Sequence, residues 1–347
     1  MRYGLPYKGS KNSIAAAIVR ELPPCTHFYD LFCGGSAITH AALVAGKWDC
    51  YHINDLDPLL PRLFADAIAG RYAREERWIS RDDFFRLKDS DGYIKTCWSF
   101  GNNGRNYLYS REIEDYKRAL HEAIVFGDYG RGRRYGFDFS AIDGVEGLHE
   151  RYIAIRRLVF DRMSDKVEKR GGHYYMKRGA GQGLAAPLAR YCNIESLQRL
   201  QRLQRLQRLQ SLQSLESLES LESLQSLQIL RGDYRDVEVK PDSLIYCDIP
   251  YKGTNEYIGG FNHEEFYEWC ARQRELVIVS EYAMPGDFVC IAKKEKKQLL
   301  SGTGTGKLVE EKLFIPRHQE KMWEETGKFA KKRGEPRQLE FDFEFCA

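Results

Sequence analysis

The stretch Tyr29-Asp30-Leu31-Phe32-Cys33-Gly34-Gly35-Ser36-Ala37-Ile38 decides the fold. It predicts a short buried strand over residues 27–32, a glycine turn, and a helix over residues 36–44. Adjacent glycines let the backbone turn sharply and bring amide N–H groups close to a ligand, at the positive end of the new helix. This arrangement suits a nucleotide-like ligand, although tight strand–helix turns without a ligand also recur in α/β folds. The loop has neither the third glycine of a dinucleotide-binding fingerprint nor the Gly-Lys-Ser/Thr of a P-loop.

Residues 48–53 predict a second strand, and Asn54-Asp55 follows at its end. An acid at this place, about 20 residues past the glycine turn, commonly binds the ribose hydroxyls of a nucleotide. Asp55 lies 20 residues after Gly35 and is therefore a candidate ligand-binding residue.

The segment at residues 7–11, Tyr-Lys-Gly-Ser-Lys, predicts an entry into a helix that ends before the prolines at positions 23 and 24. Ser10 or Ser13 is the predicted cap of this helix. Taken alone, Lys11 reads as a solvent-exposed lysine in the first helical turn.

Composition limits the class of protein. The net charge of +3 neither indicates nor excludes a nucleic-acid partner. Nine cysteines are scattered without a Cys-x-x-Cys pair, which supports neither a zinc site nor a disulfide framework. Free thiols fit a reducing cytosol, and the apolar run at residues 14–19 is too short for a signal peptide or a membrane span. We therefore predict a soluble cytoplasmic protein with no bound metal and no membrane partner.

From about residue 78 to residue 193 the hydrophobic period weakens, and glycine, aromatic and basic residues mix in three clusters. Basic side chains can contact phosphates, and aromatic rings can stack on bases. We therefore predict a nucleic-acid-binding region, for which solvated surface loops are the alternative. The candidate DNA contacts are Arg105, Arg131, Arg133, Arg134, Lys177 and Arg178.

Leucine recurs at every third position over residues 197–230. In an α-helix a period of three winds around all sides instead of forming one face. We therefore predict a low-complexity insert outside the α/β core, folded back on itself as two short segments.

A regular α/β pattern resumes with an apolar strand at residues 243–247, which leads into Asp248-Ile249-Pro250-Tyr251. Ile249 precedes a proline and is held extended, so its carbonyl points in a fixed direction. An acid and a carbonyl can accept both hydrogens of an exocyclic amine, and Tyr251 can stack on the ring that carries it. Such a pocket suits attack by an amino nitrogen on an activated methyl group.

These segments, in this order, resemble the DNA N6-adenine methyltransferases of the Dam-like family, many of them bacterial or phage-borne. The matching pieces are residues 7–11, Phe32-Cys-Gly-Gly-Ser36, Asn54-Asp55, a variable target-recognition segment, and the Asp-Pro-Pro-Tyr-like residues 248–251. The resemblance covers roughly residues 1–70 and 230–315. It departs at Ile249, where the family has proline. The accepting group there is a backbone carbonyl, which isoleucine also has.

The resemblance implies that S-adenosylmethionine is the cofactor. The residues it assigns to cofactor binding are Tyr7, Lys11, Phe32, Gly34, Gly35, Asp55 and Asp248. It implies that Asp248, the Ile249 carbonyl, Pro250 and Tyr251 hold an adenine flipped out of double-stranded DNA and present its N6 for direct methyl transfer. The activity implied is that of a site-specific, adenine-specific DNA methyltransferase, a class used in restriction–modification systems.

Two alternatives stay open. One is a catalytically impaired DNA-binding relative, with Ile249 marking the loss of activity. The other is an N4-cytosine methyltransferase, because the same acceptors suit both amines; the early glycine loop ahead of a long recognition segment favours adenine. Residues 338–343 loosely resemble the glutamine-led peptides that bind the bacterial sliding clamp, for which a disordered chain end is the alternative.

The predicted fold class is α/β: a Rossmann-like S-adenosylmethionine-dependent methyltransferase core sheet with helices on both faces, an inserted target-recognition subdomain and the Leu-triplet insert. Asn262 is the predicted cap of a helix, and further strands are predicted at residues 276–280, 288–292 and 308–315. The predicted domains are 1–75 and 231–322 for the two parts of the core, 76–193 for target recognition, 194–230 for the repeat and 323–347 for a charged tail.

Overall fold

The computed structural model describes residues 3–72, 74–134, 139, 142–161, 167–170, 173–176, 226–251, 260–298 and 307–326. The chain divides into two compact units, which we call the sheet unit (residues 1–70 and 208–347) and the helical unit (residues 71–207). The described strands are β1 (Cys25–Asp30), β2 (Trp48–Ile53), β3 (Val167–Arg170), β4 (His173–Met176), β5 (Leu227–Ile229), β6 (Ser243–Cys247), β7 (Leu276–Glu281), β8 (Phe288–Gln298) and β9 (Lys307–Pro316).

The described α-helices are α1 (Ala15–Glu21), α2 (Ala37–Ala45), α3 (Leu59–Ile68), α4 (Arg81–Leu87), α5 (Gly92–Cys97), α6 (Arg111–His121), α7 (Gly130–Arg133), α8 (Leu148–Asp161), α9 (His263–Arg272) and α10 (Glu320–Glu325). A π-helical turn, Glu122–Phe126, continues α6. None of the helices in the described part of the chain has the length and apolarity needed to cross a membrane.

The sheet unit is built on a seven-stranded sheet with the order β5-β2-β1-β6-β7-β9-β8. The strands from β5 to β7 are parallel, and β9 and β8 close the sheet as an antiparallel pair. Along the chain, strands are first added on one side of β1 and then, from β6 onward, on the other. In open α/β sheets, ligands bind beyond the carboxyl ends of the strands where the order reverses in this way. The carboxyl ends of β1 and β6 therefore mark the expected site.

The central strands β6 and β7 are buried along their whole length. Their sequences, Ser-Leu-Ile-Tyr-Cys and Leu-Val-Ile-Val-Ser-Glu, are nearly continuous apolar runs, as strands covered on both faces require. On one side, their side chains join a core cluster with Phe266 and Trp269 of α9 and with Ile249.

Several predicted element bounds hold, and others need correction. The strands at residues 48–53 and 243–247 have the predicted bounds. β1 ends at Asp30 rather than at Phe32, because the chain already turns there and the Phe32 ring packs against Tyr234, Phe261 and Phe266. β8 is longer than predicted, since it continues to Gln298 in its pairing with β9.

The predicted caps give a mixed result. Asn262 caps α9, with its Oδ1 accepting from the backbone N–H groups of Glu264 and Glu265 at 3.1 and 3.3 Å. Neither Ser10 nor Ser13 caps α1, which begins at Ala15 after Ile14 without a side-chain cap.

Most of the Leu-triplet repeat lies outside the described residues. Its end is described and forms β5, which pairs in parallel with β2 at the edge of the sheet. The core sheet therefore already includes Leu227–Ile229, whereas the sequence placed the boundary between repeat and core after residue 230.

Candidate active site

The glycine loop after β1 is closely packed against the N-terminal segment. The backbone N–H of Leu5 donates to the Gly35 carbonyl at 2.6 Å. A Cβ atom on Gly35 would lie 2.5 Å from the Cβ of Tyr7, and one on Gly34 would lie 3.0 Å from the Tyr7 ring. Gly34 also has a φ of +46°, which L-amino acids rarely adopt. Both loop positions therefore require glycine, and Tyr7 covers them.

Asp55 ties this loop to the end of β2. Its Oδ2 accepts from the Gly34 backbone N–H at 2.8 Å, and its Oδ1 accepts from the Asp57 N–H at 2.9 Å. The Asn54 side chain donates to the carbonyls of Leu31 and Gly232 at 3.1 and 3.0 Å. The carboxyl ends of β1 and β2 are thus joined by side chains that the sequence placed at the site.

Lys11 lies at the centre of a buried polar cluster. Only 2% of it is exposed, so the interpretation of a solvent-exposed lysine is wrong. Its Nζ is 2.9 Å from Asp248 Oδ1 and 3.0 Å from Glu311 Oε1, and it also donates to the Tyr251 hydroxyl. This lysine therefore connects the N-terminal segment with the residues that follow β6 and with β9.

Electrostatics keep this cluster ionised. Burial alone would lower the pKa of Lys11, but the carboxylates of Asp248 and Glu311 outweigh it and raise that pKa. Burial would raise the pKa of Glu311, but Lys11 and the neighbouring hydroxyls lower it instead. Burial and the charges of Asp248 and Glu311 raise the pKa of Tyr251 far above its ordinary value, so it stays a neutral phenol. The cluster holds one ammonium and two carboxylates.

Three members of the site were not found from the sequence. Glu311 Oε1 accepts from the Tyr251 hydroxyl at 2.8 Å and from the Ser280 hydroxyl at 2.9 Å. The Tyr251 ring stacks on Tyr282, with centroids 4.5 Å apart and 22° between the planes. Tyr282 therefore covers part of the aromatic surface that the sequence assigned to a base. In β9, which carries four charged residues among ten, the alternation of Glu311 with Leu313 and Ile315 was the signal for a buried Glu311.

Asp248 and Ile249 face different surroundings. The Asp248 side chain keeps 25% of its surface exposed, although its Oδ1 is paired with Lys11. Ile249 is 1% exposed and packs in the core cluster behind the site. The Pro250 carbonyl lies 2.9 Å from Nε2 of His263 at the start of α9. The isoleucine side chain thus serves core packing, while the residues on either side are held by polar contacts.

Residues 7–142 match the family described as D12 class N6 adenine-specific DNA methyltransferase. The resemblance to the Dam-like adenine methyltransferases is confirmed. The matched residues include Tyr7, Lys11, the glycine loop and Asp55, while residues 248–251 lie beyond the match. The mixed seven-stranded α/β sheet fits the methyltransferase fold. A comparison with curated proteins found no match.

The basic side chains that the sequence predicted to contact DNA all belong to the helical unit. Arg105, Arg133 and Arg134 are exposed. Arg131 instead pairs with Glu122 at 2.9 Å and with Asp115 at 3.7 Å. Lys177, Arg178 and the predicted clamp peptide at residues 338–343 lie outside the described residues.

The aromatic residues around Trp98, which belong to the first of the three mixed clusters proposed to stack on nucleic acid, mostly lie in the core of the helical unit. Trp98, Tyr107 and Tyr109 are at most 5% exposed, and Trp78 packs against Trp98 and Tyr109. The stacking interpretation is therefore wrong for these rings. Phe100 is the exception in this segment, with 61% of its surface exposed.

One buried acid of the sheet unit, Asp30, has a strongly raised pKa. Asp30, at the end of β1, is 1% exposed, and its Oδ2 accepts from the Thr39 hydroxyl at 2.6 Å. Burial raises the pKa of Asp30 to about 7; the Thr39 hydrogen bond opposes this, and the charges of Asp248 and Asp55 add to it. Asp30 therefore titrates near neutral pH.

Proposed function

We propose that this protein transfers a methyl group from S-adenosylmethionine to N6 of an adenine flipped out of duplex DNA. The observation that carries the proposal is the ion pair of 2.9 Å between Lys11 and Asp248. It joins the segment that matches the adenine methyltransferases to the Asp-Ile-Pro-Tyr sequence, at the reversal point of the sheet.

The residues at the ends of β1 and β2 fit the proposed cofactor. S-adenosylmethionine would supply a methyl group activated by its sulfonium; transfer to N6 would break the sulfur–methyl bond, leave S-adenosylhomocysteine and release one N6 proton. Gly34 and Gly35 present bare backbone beside the Tyr7 ring, which allows a ligand to approach closely. Asp55 is a carboxylate at the end of β2, and carboxylate oxygens are suitable acceptors for ribose hydroxyls; its contacts with the Gly34 and Asp57 N–H groups hold it beside the loop. Phe32 lies in the same loop and would add an apolar contact.

Asp248 and Ile249 would hold the target amine. The carboxylate and the carbonyl accept its two hydrogens, and the carboxylate stabilises the positive charge that the nitrogen gains as it attacks the methyl group. Lys11 donates to one carboxylate oxygen and so fixes the orientation of Asp248. Pro250 and Tyr251 complete the wall of the pocket. Positioning of the two reactants supplies most of the remaining rate enhancement.

The substrate side of the proposal requires DNA binding and base flipping. The N6 amine is paired and stacked inside the duplex, so the enzyme must extrude the base before it can react. The exposed Arg105, Arg133 and Arg134 are the proposed phosphate contacts, together with Lys177 and Arg178. A clamp interaction through residues 338–343 gains no support from the family match, which ends at residue 142.

The direct test uses labelled S-adenosylmethionine and duplex DNA of mixed sequence. We expect labelled N6-methyladenine after digestion of the DNA to nucleosides. Absence of labelled N6-methyladenine, with the protein folded, would overturn the proposed function. Label in N4-methylcytosine instead would identify the cytosine-specific alternative.

The impaired-relative alternative has its own test in Ile249→Pro. Because the isoleucine side chain fills a buried core position, we expect the proline variant to be less stable and no more active. Methyl transfer that occurs only in the proline variant would show instead that Ile249 marks a loss of catalysis.

A further inference from the structure

Glu311 is a buried acid of the site that lies beyond the residues matching the adenine methyltransferases. It is on β9 and is 2% exposed. Its Oε1 accepts from three donors: Lys11 Nζ at 3.0 Å, the Tyr251 hydroxyl at 2.8 Å and the Ser280 hydroxyl at 2.9 Å. One atom therefore holds three side chains that come from different parts of the chain.

A buried carboxylate is costly unless it is paired and hydrogen-bonded. An apolar residue of similar size would avoid that cost at an inward position of a strand. The three donors make the carboxylate tolerable, and they also define what it does. Glu311 is a second carboxylate partner of the Lys11 ammonium, in addition to Asp248, and it fixes the hydroxyl end of the Tyr251 ring.

We propose that Glu311 is a positioning residue for methyl transfer: it holds Lys11 against Asp248 and holds Tyr251 in place, and so aligns both side chains of the amine pocket. This inference rests on the proposed function. Glu311 is too deeply buried to touch the DNA base itself. Its effect on the reaction is transmitted through Lys11 and Tyr251.

The inference makes a prediction about the charge state of Lys11. The groups that face this ammonium are Asp248 beyond β6, Glu311 of β9, the Tyr251 phenol and the Tyr282 phenol beyond β7. Burial lowers the pKa of Lys11, and the two carboxylates are what raise it. Replacing Glu311 by a neutral residue must therefore lower that pKa, and Lys11 loses its proton at lower pH.

The first experiment compares Glu311→Gln with Glu310→Gln. Glutamine keeps a carbonyl acceptor but removes the charge. Glu310 is the exposed neighbour of Glu311 on β9, and it forms a surface ion pair with Lys312 at 3.3 Å. We expect kcat to fall by about 10- to 100-fold in Glu311→Gln, as when a carboxylate that orients a metal ligand is lost. KM for DNA should stay close to that of the unaltered protein, and the alkaline limb of the kcat–pH profile should move to lower pH.

If Glu311 only stabilised the fold, Glu311→Gln would lower the melting temperature without moving the alkaline limb of the kcat–pH profile. An unchanged limb, or an equal loss of kcat in Glu310→Gln, overturns the proposal. If Glu311→Gln does not fold, Glu311→Asp tests the positioning role instead. Aspartate keeps the negative charge, but its shorter side chain places the carboxylate farther from Lys11 and Tyr251. A lower kcat in that variant supports the positioning role, and an unaltered kcat overturns it.

The second experiment does not depend on methyl transfer. Lysine labelled with ¹³C at Cε gives an NMR signal for Lys11, assigned with Lys11→Met, whose titration is followed in the protein without DNA. We expect the titration of Lys11 to move to lower pH in Glu311→Gln and to stay in place in Glu310→Gln. If the Lys11 titration does not move in Glu311→Gln, the inference about Glu311 is overturned and the proposed function is not. If the titration moves but the unaltered protein shows no methyl transfer, the proposed function is refuted and the contact of Glu311 with Lys11 is not.

Discussion

The buried charge cluster of the sheet unit contrasts with the partly exposed ion pairs around Glu122 in the helical unit. In the sheet unit, Lys11 and Glu311 are almost fully buried, and their ion pair is part of a cluster that also holds Asp248. In the helical unit, ion pairs such as Arg131–Glu122 and Arg118–Glu122 are partly exposed to solvent. Exposed pairs contribute only about 0–1 kcal/mol each, whereas breaking one partner of a buried pair costs about 3–5 kcal/mol. The buried charges of the sheet unit are therefore suited to fixing a geometry, whereas the exposed pairs around Glu122 contribute little to one.

The largest effect is expected from Asp248→Ala, which breaks the buried cluster where it meets solvent. The change removes both an acceptor for the amine and a partner of Lys11. We expect methyl transfer to fall by at least ~10²–10³-fold, by analogy with the loss of one oxyanion-hole donor. The measurement is the single-turnover rate with labelled cofactor. The control is Asp287→Ala, at an exposed position between β7 and β8; activity of Asp248→Ala within tenfold of the unaltered protein would rule out the assigned role.

The second prediction concerns the packing beneath the proposed cofactor. In Gly35→Ala the new methyl group would meet Tyr7 Cβ at 2.5 Å, so the loop or Tyr7 must move. We expect weaker binding of S-adenosylmethionine in calorimetric titration, with duplex DNA binding unchanged. Gly286→Ala is the matched control, because nothing lies within 4 Å of the added atom. Equal cofactor affinity in both variants would show that the glycine loop does not contact the cofactor.

The third prediction tests whether the surface charges of the helical unit bind DNA. Arg133 and Arg134, changed together to alanine, should weaken DNA binding and reduce its salt dependence by about 0.9 for each phosphate that is no longer neutralised. Arg131→Ala, which removes the ion pairs with Glu122 and Asp115, should instead mainly lower the melting temperature. Binding isotherms at several salt concentrations give the slope. If the salt dependence of DNA binding changed only in Arg131→Ala, then Arg131 would be the phosphate contact, and Arg133 and Arg134 would not be.

The last prediction concerns the pH dependence that Asp30 adds to the stability of the sheet unit. Its pKa is raised from 3.8 to about 7 in the fold, so the folded state holds a proton that the unfolded chain releases. The stability that this proton provides is complete below pH 3.8 and is lost as pH rises through about 7. Asp30→Asn keeps an acceptor for the Thr39 hydroxyl and should remove that loss. Between pH 5 and 8, the melting temperature of Asp30→Asn should therefore fall less with rising pH than that of the unaltered protein. Parallel curves for the two proteins would contradict the raised pKa of Asp30.

The same contrast explains what could be predicted from the sequence. β2, β6 and β7 were found because buried parallel strands need apolar runs, and a short apolar run between turn residues is a local signal. The helices α6 and α8 were not predicted because many of their residues are charged, although α6 is amphipathic and so carries a helical signal. The aromatic residues around Trp98 were misassigned for a related reason: composition does not show whether a ring is exposed or buried.

The sequence by itself determined the α/β class, the glycine loop, Asp55 and the Asp-Ile-Pro-Tyr segment, because each depends on residues that are adjacent in the chain. It could not determine the surroundings of Lys11. Whether a lysine is exposed or buried depends on which strands lie next to it, and Asp248 and Glu311 are both remote from it in the chain. Only the pairing of β6, β7 and β9 brings the two carboxylates to one ammonium. Burial then makes their interaction strong, since water is excluded and the effective dielectric constant falls.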